Sequence, residues 1–353
     1  MGWRDQTWCL GNTVLEPGRG GIGRVARMTA KSMAEEGVRA EALSFLDAQP
    51  HHIGNIRTKA AKGSRLKYIG LCYQAERQCD TFLYDSVGMA RAHPRLPGWR
   101  KPYGVWIHGL EVWQGLHPDR ERALRKADFV LANSRHTLDR FDGAHRPLEN
   151  VHVVPLATEH DTVPHQASFD GRPTVLMVGR LDKEQMRKGH DDVIRCWPDV
   201  VSAVPDATLL IAGGGDGLGL VKEAAARSPD SASIHVLGFV PDHQLTHLWQ
   251  RAHVFALPSQ QEGFGIVYAE AMRHGVPVIA SIHDAGQEVN LDGQTGYNVD
   301  LTRREELPSR LIHLLRETRQ AQRLGRAGHQ RWLNHYRFSA FQTRLARTLD
   351  QCA

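Results

Sequence analysis

Short apolar runs separated by amphipathic stretches set the first order along the chain. VRAEALSFL (38–46), TFLYDSV (81–87), YGVWIHG (103–109), ADFVLANS (127–134) and VHVVPLA (151–157) are rich in β-branched and aromatic residues and predict strands. Between them, GRVARMTAKSMAEEG (23–37) and DRERALRKA (119–127) carry apolar residues three and four apart, the spacing of one helical face. A second series repeats the alternation: PTVLMVGRL (173–181), ATLLIAGGG (207–215), SIHVLGFV (233–240), HVFALPS (253–259) and VPVIAS (276–281). Strands that alternate with helices predict parallel sheets covered on both faces. The polar segment TEHDTVPHQASFDGRP (158–173), with two prolines, separates the two series and reads as a linker. The expected class is therefore α/β, with two Rossmann-like domains at 1–160 and 170–330 facing across a cleft. Ligands are expected at the carboxyl ends of their strands. RWLNHYRFSAFQTRLARTLDQ (331–351) predicts an amphipathic helix, and the tail 331–353 is expected to cross back and pack on the first domain.

Length and composition narrow the class. At 353 residues, 41% hydrophobic and 24% charged, each half is large enough to bury its own core without a disulfide or metal staple. The five cysteines show no ligand-like spacing, which favours a reducing compartment. No apolar run reaches the length of a membrane span and residues 1–20 lack a secretory core, so a cytoplasmic protein is expected. Charge is uneven. Residues 1–160 hold 23 Lys and Arg against 17 Asp and Glu, a net of +6, and the remainder holds 21 against 22, a net of −1. The excess includes HHIGNIRTKAAKGSRLKYIG (51–70), whose bland reading is a solvated helix face and whose sharper one is a peripheral site for an anionic membrane surface or a phosphorylated acceptor. Aromatic residues do not interleave with these charges, and nucleic acid is set aside as a partner.

PSQQEGFGIVYAEAMRHGVPVIAS (258–281) carries the chemistry. A strand ends at Pro258, a loop presents Glu262, and Gly263, Phe264 and Gly265 lead into a helix that begins near Ile266 and contains Glu270. Glycines permit close backbone approach, and the first amides of a helix seat an anion such as a pyrophosphate. Glu262 lies beside that seat. Glu270 follows roughly two turns later, where it can take a pair of ribose hydroxyls.

This block resembles the E-x7-E signature of the retaining GT-B glycosyltransferases of family 4 (glycosyl transferases group 1), with Glu262 and Glu270 as the two acids. GRLDKEQMRKGHDDVI (179–194) is similar to the family's second phosphate-binding segment, with Arg180 and Lys188 on the positions that hold the donor diphosphate. GRGGIGRVAR (18–27) resembles its amino-terminal glycine loop, with Gly20 and Gly21 against acceptor or phosphate. His108, in VWIHGLEVW (105–113), falls where the family places a histidine near the reacting carbon. Asn133 falls in its NS segment, and Val240 where backbone groups meet the base. The resemblance implies a nucleotide-sugar donor, a glycan, lipid-linked or small-molecule acceptor, no cofactor and no metal. Its catalytic set would be Glu262, His108, Arg180 and Lys188, with Gly263 to Ile266 assisting at the diphosphate. MGWRDQTWCLGNTVLEP (1–17) departs from the pattern, being longer and more polar than the family's first strand.

Two other readings share parts of this evidence. Gly18-x-Gly20-x-x-Gly23, with Asp47 downstream, satisfies a dinucleotide fingerprint and would suit an NAD-dependent dehydrogenase, although nothing in it accounts for 258–281. A nucleotide-sugar epimerase would use the same architecture and need no acceptor.

Overall fold

The computed structural model describes residues 2–95, 100–183 and 187–352. The chain divides into two compact units, Met1–Glu159 together with Phe338–Ala353, and His160–Arg337.

The first unit is built on an eight-stranded sheet. Its strands are β1 (Thr7–Asn12), β2 (Arg39–Ser44), β3 (His52–Ile53), β4 (Ile56–Ala60), β5 (Thr81–Tyr84), β6 (Tyr103–Ile107), β7 (Phe129–Ala132) and β8 (Val151–Val153), in the spatial order β3-β4-β2-β1-β5-β6-β7-β8. All neighbours are parallel except the β3–β4 pair. The helices are α1 (Gly21–Glu35), α2 (Arg65–Glu76), α3 (Val87–Ala90), α4 (Leu110–Trp113), α5 (Pro118–Arg125) and α6 (Arg135–Ala144). Three strands, β1, β3 and β4, differ from the sequence reading. β1 lies at the centre of the sheet with Trp8, Cys9 and Leu10 buried, in the segment whose polar residues hide it. β4 sits inside the basic stretch, because Ile56, Thr58 and Ala60 are buried while Arg57 points out and Lys59 pairs with Glu41 at 2.7 Å. That is the two-residue period of a strand, and only the part from Arg65 onward is helix.

The second unit holds a six-stranded, wholly parallel sheet: β9 (Thr174–Val178), β10 (Thr208–Ala212), β11 (Ile234–Gly238), β12 (Val254–Ala256), β13 (Val278–Ser281) and β14 (Gly296–Val299). The spatial order is β11-β10-β9-β12-β13-β14, the doubly wound arrangement in which strand order reverses between the first and fourth strands. Its helices are α7 (His190–Ala203), α8 (Leu218–Arg227), α9 (Asp242–Arg251), α10 (Ile266–Arg273), α11 (Gly286–Val289), α12 (Glu306–Arg316) and α13 (Thr318–His335).

The tail that reads as one amphipathic helix over 331–351 is divided. α13 ends at His335, and α14 (Phe338–Cys352) belongs to the first unit. There Phe341 stacks on Trp106 with ring centres 6.3 Å apart, Lys31 lies 4.0 Å over the Phe338 ring, and Arg344 donates to the carbonyls of Pro155 and Leu156.

Candidate functional site

In the second unit, loops leaving the carboxyl ends of adjacent parallel strands bring the motif residues together. β9 and β12 are neighbours although β10 and β11 intervene in sequence, and open α/β sheets bind ligands at such a reversal. Lys188 from the β9 side meets Glu262 from the β12 side, Nζ to Oε1, at 3.1 Å, with both side chains largely buried. The backbone enforces this meeting. The Gln260 amide and the Ser259 hydroxyl both donate to the Arg187 carbonyl, at 2.8 and 3.3 Å. Gly189 has φ +82°, and a Cβ there would lie 2.6 Å from the Pro258 carbonyl oxygen, so only glycine lets the lysine loop pass so close.

The entry to α10 is equally constrained. Gly265 is left-handed (φ +78°), and a side chain on it would strike the Tyr268 ring at 2.3 Å. The Tyr268 hydroxyl donates to the Leu257 carbonyl at 2.7 Å, tying the first turn of α10 to the end of β12. Phe264 is buried edge-on to Tyr336, Ile266 begins the helix, and Glu270 is half-buried on its second turn. Glu262 is fixed through its backbone. Its amide donates to Asp284 Oδ2 at 2.9 Å, and its carbonyl accepts the Ala285 amide at 3.1 Å. The other Asp284 oxygen accepts the Gly286 amide at 2.8 Å. Asp284 is fully buried; burial, and then the negative charge of Glu262, push its carboxyl up to about 7.

Arg180, just past β9, is half-exposed and forms an ion pair with Asp182. Both cations expected at the diphosphate thus hold a carboxylate in this structure. Glu184, Gln185 and Met186 of the same motif lie outside the described residues. AGGGDG after β10 packs tightly against this loop: a Cβ on Gly213 would sit 1.8 Å from the Gly179 carbonyl oxygen. Val240 is half-buried just beyond the end of β11.

The first unit has a comparable reversal between β1 and β5. There the buried Asp85 accepts the Thr13 amide at 2.5 Å, the Thr13 hydroxyl at 2.9 Å and the Ser86 hydroxyl at 3.0 Å. Burial outweighs these bonds and raises its carboxyl to about 6. His108 follows β6, and its Nε2–H donates to the Asp85 carbonyl at 2.6 Å, since a carbonyl can only accept. In the neutral ring that leaves Nδ1 as the acceptor. Asn133 is buried and donates to the His108 carbonyl at 2.9 Å, while Ser134 caps α6 by accepting the Thr137 amide. Gly20 is left-handed (φ +90°) at the start of α1, and Gly21 is exposed where an added Cβ would meet no protein atom.

This geometry does not favour the dinucleotide reading. Asp47 is buried, and its carboxylate accepts the Leu15 and Glu16 amides, the shortest bond being 3.0 Å. Its oxygens shape the glycine loop, and Oδ2 lies 3.5 Å from His51 Nε2, which accounts for this acid without a ribose. Sequence reasoning also missed Asp284 and Asp85. Both follow strands, but no periodicity marks them. Among the described residues, no three His, Cys, Asp or Glu side chains gather as metal ligands.

A family description, Glycosyl transferases group 1, matches residues 160–331. The chain is 32% identical to the GDP-mannose-dependent alpha-(1-6)-phosphatidylinositol monomannoside mannosyltransferase of Mycolicibacterium smegmatis, over 69% of this chain and 68% of that one. It is 36% identical to the phosphatidyl-myo-inositol mannosyltransferase of Mycobacterium tuberculosis over a shorter span, 41% of this chain and 39% of that one. Among solved structures it is similar to sucrose-phosphate synthase from Thermosynechococcus elongatus, with TM-score 0.82, 20% identity and 98% of each chain covered. It is also similar to the Anabaena protein HepE in complex with UDP-glucose, with TM-score 0.78, 18% identity and 98% and 100% of the chains covered.

Proposed function

Because this chain belongs to the group 1 glycosyltransferases, with their GT-B fold, we propose that it moves a hexose from a nucleotide sugar to a lipid-linked or glycan acceptor with retention and without a divalent metal. The Lys188–Glu262 pair at the strand-order reversal of the second unit carries this reading. A donor diphosphate would compete with Glu262 for Lys188 and with Asp182 for Arg180, and two fixed cations would offset the charge of the leaving group. Glu262, released from that pair, would hold the sugar. Glu270 would take the ribose, the amides from Gly263 to Ile266 the diphosphate, and Val240 the base. In the first unit, Gly21 and His108 are assigned to the donor, and Gly20 and Asn133 to the acceptor. The acceptor oxygen forms its bond to the anomeric carbon as the bond to the diphosphate breaks on the same face. The acceptor proton passes to the departing diphosphate oxygen.

GDP-mannose is the first donor to test, because two relatives, 32% and 30% identical, are named for it; UDP-glucose is the second, because it is bound in a structural neighbour. An anionic membrane surface is proposed as the place of transfer. What supports it is the net positive charge of residues 1–160 and the exposed Arg65, Leu66 and Lys67 at the start of α2. Sedimentation with phosphatidylinositol vesicles tests this, and equal recovery with neutral vesicles would refute it. No helix among the described residues is long and apolar enough to cross a membrane.

The decisive assay is incubation with GDP-mannose and a phosphatidylinositol mannoside in EDTA, with the product's anomeric configuration read by NMR. An α-linked product supports the proposal. Dependence on added metal or a β-linked product would refute those parts of it, and conversion of the donor without an acceptor would favour the epimerase. Lys188→Ala should lower transfer by about 10²–10³-fold with an unchanged far-ultraviolet circular dichroism spectrum. Near-normal turnover would remove Lys188 from the site.

A further inference from the structure

Asp284 is a fully buried carboxylate with no cationic partner among the described residues. Burying an unpaired charge is costly, and a neutral side chain would spare that cost. Its bonding shows what the charge does. The carboxylate accepts the Glu262 amide at 2.9 Å and the Gly286 amide at 2.8 Å, while the neighbouring Ala285 amide reaches back to the Glu262 carbonyl at 3.1 Å. Both peptide groups flanking the Glu262 Cα are thereby held, which fixes the direction in which its side chain leaves the backbone. The charge of Asp284 also repels that side chain, which is ion-paired with Lys188.

We propose that Asp284 is a positioning residue for transfer: its ionised carboxylate clamps the Glu262 backbone and directs the Glu262 side chain to Lys188 in the free enzyme and to the donor sugar in the complex. This rests on the transferase reading of the site. Among the described residues, the titratable groups that interact with Asp284 are Glu262 on the loop before α10 and the Tyr268 phenol on α10, and Lys188 pairs with Glu262. Burial, and then the negative charge of Glu262, disfavour the ionised form, which places loss of the clamp's charge near neutral pH, at about 7. The rate of transfer is then expected to rise with pH through that region, because the ionised form is the competent one.

Asp284→Asn keeps the shape but turns an NH2 group toward one of the two amides, so one arm of the clamp is lost. The test combines kcat and donor KM across pH with the amide resonance of Glu262 in protein labelled with 15N-glutamate. In the wild type the Glu262 amide should titrate with a midpoint near pH 7 and the acid limb of kcat should share it. In Asp284→Asn both should disappear, and kcat should fall by about tenfold to a hundredfold while donor KM changes by less than about threefold. A merely structural residue would move KM and leave the pH profile in place. An unchanged kcat profile in the variant overturns the proposal. So does a wild-type Glu262 amide that does not titrate, a result that stands even if the variant does not fold. If the wild type turns over neither GDP-mannose nor UDP-glucose while the amide titrates and the variant abolishes it, the clamp stands and the transferase reading falls.

Discussion

Asp284 has a consequence for stability whose sign can be worked out in advance. Its carboxyl titrates at about 7 in the folded chain against 3.8 when unperturbed, so the folded state binds that proton more tightly than the unfolded state. The associated stability is fully present below the unfolded value and is lost as pH rises toward 7. Asparagine does not ionise. Asp284→Asn should therefore gain stability relative to wild type between pH 5 and pH 8, by on the order of a few kcal/mol, as read by urea denaturation at the two pH values. A gap independent of pH would mean that Asp284 does not change its protonation there. This residue also marks the limit of what could be read beforehand. Glu262 and Lys188 are legible because each sits in a strand–loop–helix frame with glycines at defined offsets. Asp284 has no such frame. Its role exists only because β13 lies beside β12, a pairing between segments that no local pattern announces.

Among elements, α10 depends most sharply on one residue before it. Gly265 supplies both a positive φ and the space for the Tyr268 ring, and these are separate reasons for glycine. Gly265→Ala should cost about 1–3 kcal/mol from backbone strain, with the steric clash adding to it. It should also displace the amides at the start of the helix, so that nucleoside diphosphate affinity falls more than stability does. Calorimetric titration against a thermal melt separates the two, and unaltered affinity would show that these amides do not hold the diphosphate. Glycine here is readable from sequence as a helix entry; its contact with Tyr268 is not. The same division runs through the strands. Long β-branched runs such as TVLMV announce β9, whereas β14, only Gly296–Val299, is too short and polar to stand out. β1 and β4 are recovered only from burial, because the apolar run of β1 is only Trp8 to Leu10, and Arg57 and Lys59 interrupt that of β4.

For the whole molecule, the sequence order of the two units is not their order of packing. The chain leaves the first unit at Glu159 and returns to it at Phe338, so the last fifteen-residue helix completes a core begun at the amino terminus. Its apolar positions Phe338, Phe341, Leu345 and Leu349 are three to four apart and all buried, the pattern of a single helical stripe. The sequence shows that stripe but also runs it back through Trp332, and the break at Tyr336 and Arg337 is where the two units divide. Phe341→Ala removes a ring stacked on Trp106 of β6 and should cost about 3–5 kcal/mol. Its effect should be confined. Hydrogen exchange should quicken in β1, β5, β6 and β7, more than 190 positions earlier in the chain by numbering, while β9 to β13 keep their protection. Uniform acceleration in both sheets would instead show that the two units unfold as one cooperative body, with the boundary at 337–338 marking contacts and not stability.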